Sequence, residues 1–347
     1  MASATRTVSP QALRDFAERL LTAGGFRPED AAKAAELLVW ANLRGVDSHG
    51  VLRIPRYVEM VQQGLINPAA TPKVVRESGA VALIDAGLAP GATGMESVTL
   101  KAVEIAARSG AGFCVGRNVT HAGAIGYFAH RIADAGLVGI IMTASKPLMA
   151  YPGARGEAVS SNPLAIAAPS ADADAPIVLD MSTAAVALGK ILAARDAGRA
   201  IPEGWGMDGE GRSTTDAAQV KALLPMAGAK GAGLSLMIEV LCSLLADNPI
   251  IAPALGGADP VGFNGLAIAI DPDAFMGRER FLANVQALAV AIHGLEPAAG
   301  TEAVLLPGER GRRTAAERSR SGIPLAQGTA TKLAELAARL GVEALPV

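Results

Sequence analysis

Apolar residues fall at helical spacing near the start of the chain: Leu13, Phe16, Leu20 and Leu21 share one face of residues 9–24. Ser9-Pro10 is a helix start signal and Gly24-Gly25 a stop, and Arg27-Pro28-Glu29-Asp30 opens a second helix over 29–44. A third helix is predicted to follow Ser48, which could cap it, and to run through Val58–Gln63, with Gly64-Leu65-Ile66-Asn67-Pro68 ending it. The period then changes. Short apolar or alternating runs at 80–86, 112–117, 136–143, 164–168, 177–181 and 265–270 read as strands. Residues 97–109, 123–135, about 182–197, 231–246, 277–293 and 314–340 read as helices. Residues 198–217, rich in Gly, Asp and Thr and without an apolar period, read as a long loop. The expected fold is mixed α/β with helices at both ends and no internal repeat.

Composition narrows this. Half of the 347 residues are hydrophobic but only 3% are aromatic, so Ala, Gly, Val and Leu must fill the interior. Small residues let helices and ligands come close to the backbone. A net charge of −2, with no Lys/Arg run covering a face, argues against nucleic-acid binding. The densest basic cluster, Arg310, Arg312 and Arg313, reads as a solvated segment. Cys114 and Cys242 stand in apolar surroundings and read as buried thiols of a reducing compartment. Residues 1–10 lead into the first helix without a signal-peptide pattern, and the apolar stretches 134–142 and 232–246 are too short or interrupted to span a bilayer. A soluble cytoplasmic protein is expected, with no membrane partner.

Candidate chemistry rests on two of the four histidines. His49 lies in Asp47-Ser-His-Gly-Val-Leu-Arg53-Ile-Pro-Arg-Tyr57, and His121 in His121-Ala-Gly-Ala-Ile-Gly-Tyr. Histidine is the usual proton carrier near neutrality. If the first segment is helical, positions 49, 53 and 57 share a face, provided Pro55 lies in the first turn. Arg53 suits a carboxylate clamp. His130 reads as exposed, and His293 as a partner of its helix C-terminus. Lys146 closes a strand, and Ala229-Lys230 opens a helix after glycines, where free N–H groups favour an anion. Other chemistry finds less support. Gly204-Trp-Gly206-Met-Asp-Gly209 matches a dinucleotide fingerprint literally, but neither a strand precedes it nor a helix follows it. Asp47-Ser48-His49 cannot form a hydrolase triad as immediate neighbours. No metal-ligand spacing is present.

Seven segments, in order, resemble the type-2 malate/L-lactate dehydrogenase family of NAD(P)-dependent oxidoreductases. Besides the two histidine segments they are Ser161-Asn-Pro-Leu-Ala, Leu179-Asp-Met-Ser-Thr183, Ile201-Pro-Glu-Gly-Trp-Gly-Met-Asp208, Thr214-Thr-Asp216 and Leu224-Pro-Met-Ala-Gly-Ala-Lys-Gly231. The resemblance implies a non-Rossmann α/β fold, with a helical domain and a cofactor domain on a largely antiparallel sheet. It implies a helical domain over 1–75, on which the C-terminal helices of about 305–347 pack, and a cofactor and substrate region over 76–304. It also implies a homodimer with the active site near the interface, a small anionic substrate and NAD or NADP as cofactor.

Carried over by position, the resemblance implies that Ser145, Asn162, Asp180, Met181, Ser182, Thr183, Ala229, Lys230 and Gly308-Glu309-Arg310 meet the dinucleotide. Ser48, Arg53, Tyr57 and Lys146 would meet the substrate. His121 and His49 would divide proton transfer and orientation, with His121 favoured as acid/base. The His121 and Lys230 segments are most similar to the ureidoglycolate-oxidising branch, but Lys146 stands where that branch carries an acid. A second anionic group on the substrate, as in malate or a sulfonated lactate, is therefore an alternative. Reduction of a cyclic imine carboxylate and a non-catalytic binding role on the same scaffold are the further alternatives.

Overall fold

The computed structural model describes residues 6–345. Strand β1 (Arg6–Val8) is followed by helices α1 (Pro10–Ala23) and α2 (Pro28–Leu43). The Ser9 hydroxyl caps α1 by accepting the Ala12 N–H at 3.2 Å, as its sequence signal predicts. Two single-turn 3₁₀ helices, Asp47–His49 and Val51–Arg53, then lead into α3 (Ile54–Gln62). Pro55 falls in the first turn of α3, where its missing N–H breaks no helical bond. Ser48 does not cap α3, because its hydroxyl lies 2.9 Å from its own neighbour, His49 Nδ1.

The remaining elements run β2 (Lys73–Ser78), β3 (Val81–Asp85), α4 (Gly91–Ser109), β4 (Ala111–Val119), α5 (Gly126–Asp134), β5 (Val138–Ala144), β6 (Leu164–Ala168), β7 (Ile177–Met181) and α6 (Leu188–Asp196). After the short strands β8 (Gly206–Met207), β9 (Ser213–Thr214) and β10 (Ala222–Leu223) come α7 (Ala229–Glu239), α8 (Ile251–Leu255), β11 (Phe263–Ile270), α9 (Arg278–His293), α10 (Glu309–Ser321), β12 (Ile323–Leu325) and α11 (Gln327–Leu340). The central sheet has the order β2-β3-β4-β11-β5-β6-β7. Only β3 and β4 pair in parallel, so the sheet is largely antiparallel. α10 packs on α2, and α11 on α1 and α3.

The departures from the sequence pattern have physical causes. The expected loop 198–217 contains β8 and β9, whose two-residue pairings with each other and with β10 are too short to show alternation. β2 was not foreseen because it is an edge strand exposed on both faces. The expected helix 231–246 becomes a π-turn at Val240–Leu244, where buried Glu239 accepts from Ser243 and from the N–H groups of Ile250 and Ile251. The helical pattern 314–340 is broken at Gly322, whose φ of 89° turns the chain into β12, the partner of β1.

One sheet face packs against α4 and α5 in a core continuous with α1–α3, and the other against α7 and the π-turn. The small residues have a geometric purpose. α4 starts six residues before its expected boundary because Gly91 lets its first turn lie on the His121 backbone, where a Cβ would sit 2.1 Å from the His121 carbonyl oxygen. Gly91→Ala should therefore destabilise by about 1–3 kcal/mol. Gly328→Ala, at a helical position with open space around it, should be neutral or stabilise by up to about 1 kcal/mol. Urea denaturation checks both, and equal midpoints for the two variants would contradict this packing account.

Candidate active site

Four stretches distant in sequence meet around His121. Its loop leaves β4 through Asn118, with φ of 52°, and enters α5 through Gly123, with φ of 66°. A Cβ at Gly123 would lie 2.2 Å from Leu37, so α2 buttresses this loop. The Tyr57 hydroxyl, from α3, lies 2.7 Å from His121 Nδ1, and the Gly123 N–H approaches the same nitrogen at 3.3 Å. The His49 ring stacks on the His121 ring with centroids 5.7 Å apart and planes 17° apart. Phe263, at the start of β11, meets His121 edge-on at 5.6 Å. Arg53 sits immediately before α3 and is fastened by its Nε–H to the Ser48 carbonyl at 2.8 Å. Residues 49, 53 and 57 thus converge as expected, although a single helix does not join them.

The charges in this cleft are unbalanced. Arg53 has no carboxylate partner among the described residues, and its terminal nitrogens remain uncommitted. Burial first, and the Arg53 charge second, lower the His49 pKa to about 4. His121 is pushed well below the ordinary histidine value by burial, then by Arg53, then by His49. Burial holds Tyr57 protonated. Both imidazoles are therefore neutral at physiological pH, and neither Nε2 atom makes a hydrogen bond to the described residues. A partly buried cation without a carboxylate partner among the described residues, set beside neutral bases, suits an anion that carries a transferable proton.

The residues expected to meet the dinucleotide form a strip around the start of α7. Gly231 is pressed onto the backbone of Met226, which donates its N–H to the Thr183 carbonyl at 2.9 Å. This contact brings Ala229 and Lys230, both exposed, beside the Asp180-Met181-Ser182-Thr183 segment. The Ser182 hydroxyl donates to Ser161 O and accepts the Ala184 N–H. Thr183 Oγ1 is buried without a partner. Asp180, on β7, is exposed to solvent although protein atoms crowd its carboxylate. Desolvation raises its pKa to about 6 against the lowering effect of the Gly126 N–H, which it accepts at 2.9 Å.

Other members of the expected set are engaged within the protein. Asn162 is fully buried, and its amide joins Ser145 N–H to the Ser235 carbonyl of α7. The Ser145 hydroxyl meets Ser160 at 2.6 Å. Gly308 caps α10 against Val178 of β7. Glu309 accepts from Leu306 N–H and pairs with His293, whereas Arg310 is exposed. The uncommitted Thr183 hydroxyl, the Lys230 ammonium and the free N–H groups at the start of α7 fit a phosphate-bearing cofactor. Lys146 forms an ion pair with Asp259. Among the described residues no group of three or more His, Cys, Asp or Glu side chains is placed to hold a metal, and no helix is long and apolar enough to cross a membrane.

His130 corrects its expectation: it is half-buried against Trp40 and lies 3.1 Å from Asp134. Three contributors went unforeseen. Phe263 and Arg318 give no local sequence signal, whereas Asn42 does, as a polar residue four positions after Leu38 on the buried face of α2.

The family model and the relatives make this chain an NAD(P)-dependent oxidoreductase of small 2-hydroxy acids, and the fold agrees. The chain belongs to the malate/L-lactate dehydrogenase family, whose model matches residues 8–334. It is 36% identical to the malate dehydrogenase of Pyrococcus horikoshii over 96% of this chain and 95% of that one. The solved structure of that enzyme superposes with a TM-score of 0.89 at 32% identity, covering 98% of this chain and 97% of that one. The chain is also 36% identical to the L-sulfolactate dehydrogenase of Methanocaldococcus jannaschii, covering 92% of each. Identity to the NAD(+) ureidoglycolate dehydrogenase of Escherichia coli is 33%, over 87% of each chain.

If His121 or His49 carries the alcohol proton, its depressed pKa sets the acid limb of the pH profile. A neutral imidazole is the form that accepts a proton from the alcohol, so kcat/KM for oxidation should stay level through about pH 6.5, the ordinary histidine value. It should fall only well below that value, with His49 itself lowered to about 4. The same shift means that the folded protein binds fewer protons than the unfolded chain, so stability is lost as pH drops below that ordinary value. A pH–rate series with a midpoint between about 6 and 7 would contradict the assignment of neutral, buried imidazoles.

Proposed function

We propose that Arg53 clamps the carboxylate of a 2-hydroxy acid, that His121 carries the hydroxyl proton, and that His49 and Ser48 orient the substrate. The observation that carries this reading is a guanidinium without a carboxylate partner, held beside two neutral imidazoles. The Tyr57 hydroxyl both donates and accepts, so it can hold His121 Nδ1 whether or not that nitrogen is protonated. For Nε2 to offer its lone pair to the alcohol, the ring takes the tautomer with Nδ1–H donating to the Tyr57 hydroxyl, which gives up the 3.3 Å approach of the Gly123 N–H to that nitrogen. After transfer, the imidazolium forms beside the bound carboxylate, which offsets the Arg53 charge. In the reverse direction the same nitrogen returns the proton to the carbonyl oxygen of a 2-oxo acid. The nicotinamide, when bound, supplies the hydride acceptor or donor. Ala229, Lys230, Thr183, Ser182, Met181, Asp180 and Ser145 would hold the cofactor, with Asn162 and the Gly308-Glu309-Arg310 segment shaping the strip.

Lys146 favours a substrate with a second anionic group. It follows β5, whose last residue Ala144 pairs with Asn264, next to the Phe263 ring on His121. The names of the malate and sulfolactate relatives describe acids of this dianionic type. We assign residues 1–75 with the C-terminal helices to one structural unit and 76–304 to the cofactor and substrate unit. The two free cysteines are buried, in keeping with a cytoplasmic setting. We further propose a homodimer with the active site near the interface. α9 is an apolar helix with Val285 as its buried residue, while Leu288 and Val290 remain 56% and 60% exposed. Leu288 and Val290 are two positions apart and lie on opposite sides of the helix, so a second copy would cover more than one side of α9.

A substrate screen followed at the nicotinamide absorbance, with NAD and NADP, tests the reading. Malate- and sulfolactate-type acids should be oxidised with a lower KM than lactate, and Lys146→Ala should remove that preference. Arg53→Ala should raise KM for every acid roughly 10- to 100-fold. Activity confined to cyclic imines, or an unchanged KM in Arg53→Ala, would refute it. Light scattering should give the mass of two chains, and Leu288→Asp with Val290→Asp should shift it toward one. A monomeric wild type would refute the dimer.

A further inference from the structure

The substrate half of the cleft stands on two 3₁₀ turns of three residues each, too short to be rigid alone. Their stability comes from a polar cluster outside the cleft. The Asp47 carboxylate accepts two bonds from Arg318, Nη1 to Oδ1 at 2.8 Å and Nη2 to Oδ2 at 3.2 Å. Asn42 Nδ2 donates to the same Oδ1 at 2.6 Å, and Asn42 Oδ1 accepts the Val51 N–H at 2.8 Å. Arg318 Nη1 also donates to the Asn42 carbonyl. Asn42, buried in α2, thus joins the first turn to the second, and Arg318 closes the joint from the far end of the sequence. Gly50 lies between the turns with no room for a side chain, since a Cβ would be 2.1 Å from Asn42 Oδ1.

α10 itself has no buried residue, so hydrophobic burial does not explain its docking. Polar attachments hold it at both ends. Its start is bound to β7, where Val178 N–H donates to Pro307 O at 3.1 Å, two residues before Asp180. Its last turns deliver Arg318, whose side chain is only 16% exposed, to Asp47. A bidentate, charge-assisted pair is directional and holds both partners in one orientation. Asp47 is followed by Ser48, whose carbonyl fixes Arg53 Nε, and by His49.

We propose that Arg318 is a positioning residue for the acid-binding half of the active site, acting through Asp47 and Asn42 to set the placement of His49 and Arg53. It touches neither substrate nor cofactor. This rests on the assignment of Arg53 and His49 to the substrate. Displacement of a positioned group by about 1 Å can lower rates roughly 10²-fold.

The test compares Arg318→Ala and Arg318→Lys with the wild type for kcat, KM of the hydroxy acid, cofactor Kd by nicotinamide fluorescence, and Tm. kcat/KM should fall roughly 10- to 100-fold in Arg318→Ala while cofactor Kd changes little. Arg318→Lys keeps the charge and the stem but not the two-pronged contact, so it should recover only part of the loss and carries the test if the alanine variant does not fold. Millimolar guanidinium, but not ammonium, should restore part of the activity of Arg318→Ala. Wild-type kcat/KM in both variants overturns the proposal. So does a loss matched by an equal loss of cofactor affinity and not relieved by guanidinium, since that is general loosening. If the wild type oxidises no 2-hydroxy acid, the substrate assignment has failed, and hydrogen exchange decides on Arg318. Faster exchange confined to residues 47–53 in the variants supports the positioning role, and unchanged exchange there overturns it.

Discussion

An arginine without a carboxylate partner, set beside two imidazoles that its own charge helps to keep neutral, is the feature on which the rest of this structure depends. A buried guanidinium is costly when left unpaired. Arg53, which is partly buried, is left so among the described residues: its Nε is fixed to the Ser48 carbonyl and its remaining donors have no partner there. The site is thus incomplete until an anion arrives. The same arrangement links binding to proton transfer. In the free protein Arg53 disfavours protonation of His49 and His121. A bound carboxylate would offset that charge and make the imidazolium easier to form at the step that needs it.

Holding such a site requires rigidity on every side, and the chain obtains it by different means. Around His121 the means is close packing of small residues: Gly91 seats α4 on the loop and Gly123 receives Leu37. Around the start of α7, Gly231 does the same against Met226. In the His49 turn no residue is fully buried, and a charged joint of Asn42, Asp47 and Arg318 holds it. A chain with 39 glycines and few aromatics is not loosely built at the site, because Gly91 and Gly231 stand where backbone meets backbone. α10 meets β7 at one end and the His49 segment at the other, so one helix touches both the cofactor strip and the substrate turns.

Much of this was legible in the sequence where a residue announces its own chemistry. His49, Arg53 and Tyr57 are spaced so that helical geometry alone suggests convergence, and the ordered segments pointed to the family and hence to a sheet without a Rossmann fingerprint. What escaped is what depends on partners distant in the chain. Arg318 lies in a helix of charged residues with no apolar period, and nothing local marks it for Asp47, 271 positions away. β2 shows no alternation because both of its faces are exposed. The π-turn after Glu239 arises from a carboxylate that reaches forward to Ile250 and Ile251, beyond the window of any helical pattern. Asn42 was readable: an amide on an apolar helical face requires a buried partner.

The most direct test is a crystal structure of the protein with oxidised or reduced nicotinamide cofactor and oxamate, a carboxylate that resists reduction. The account predicts the oxamate carboxylate on the terminal nitrogens of Arg53, with its amide carbonyl within hydrogen-bond reach of His121 Nε2. Oxamate bound elsewhere, with Arg53 turned to solvent or paired with a protein carboxylate, would contradict it.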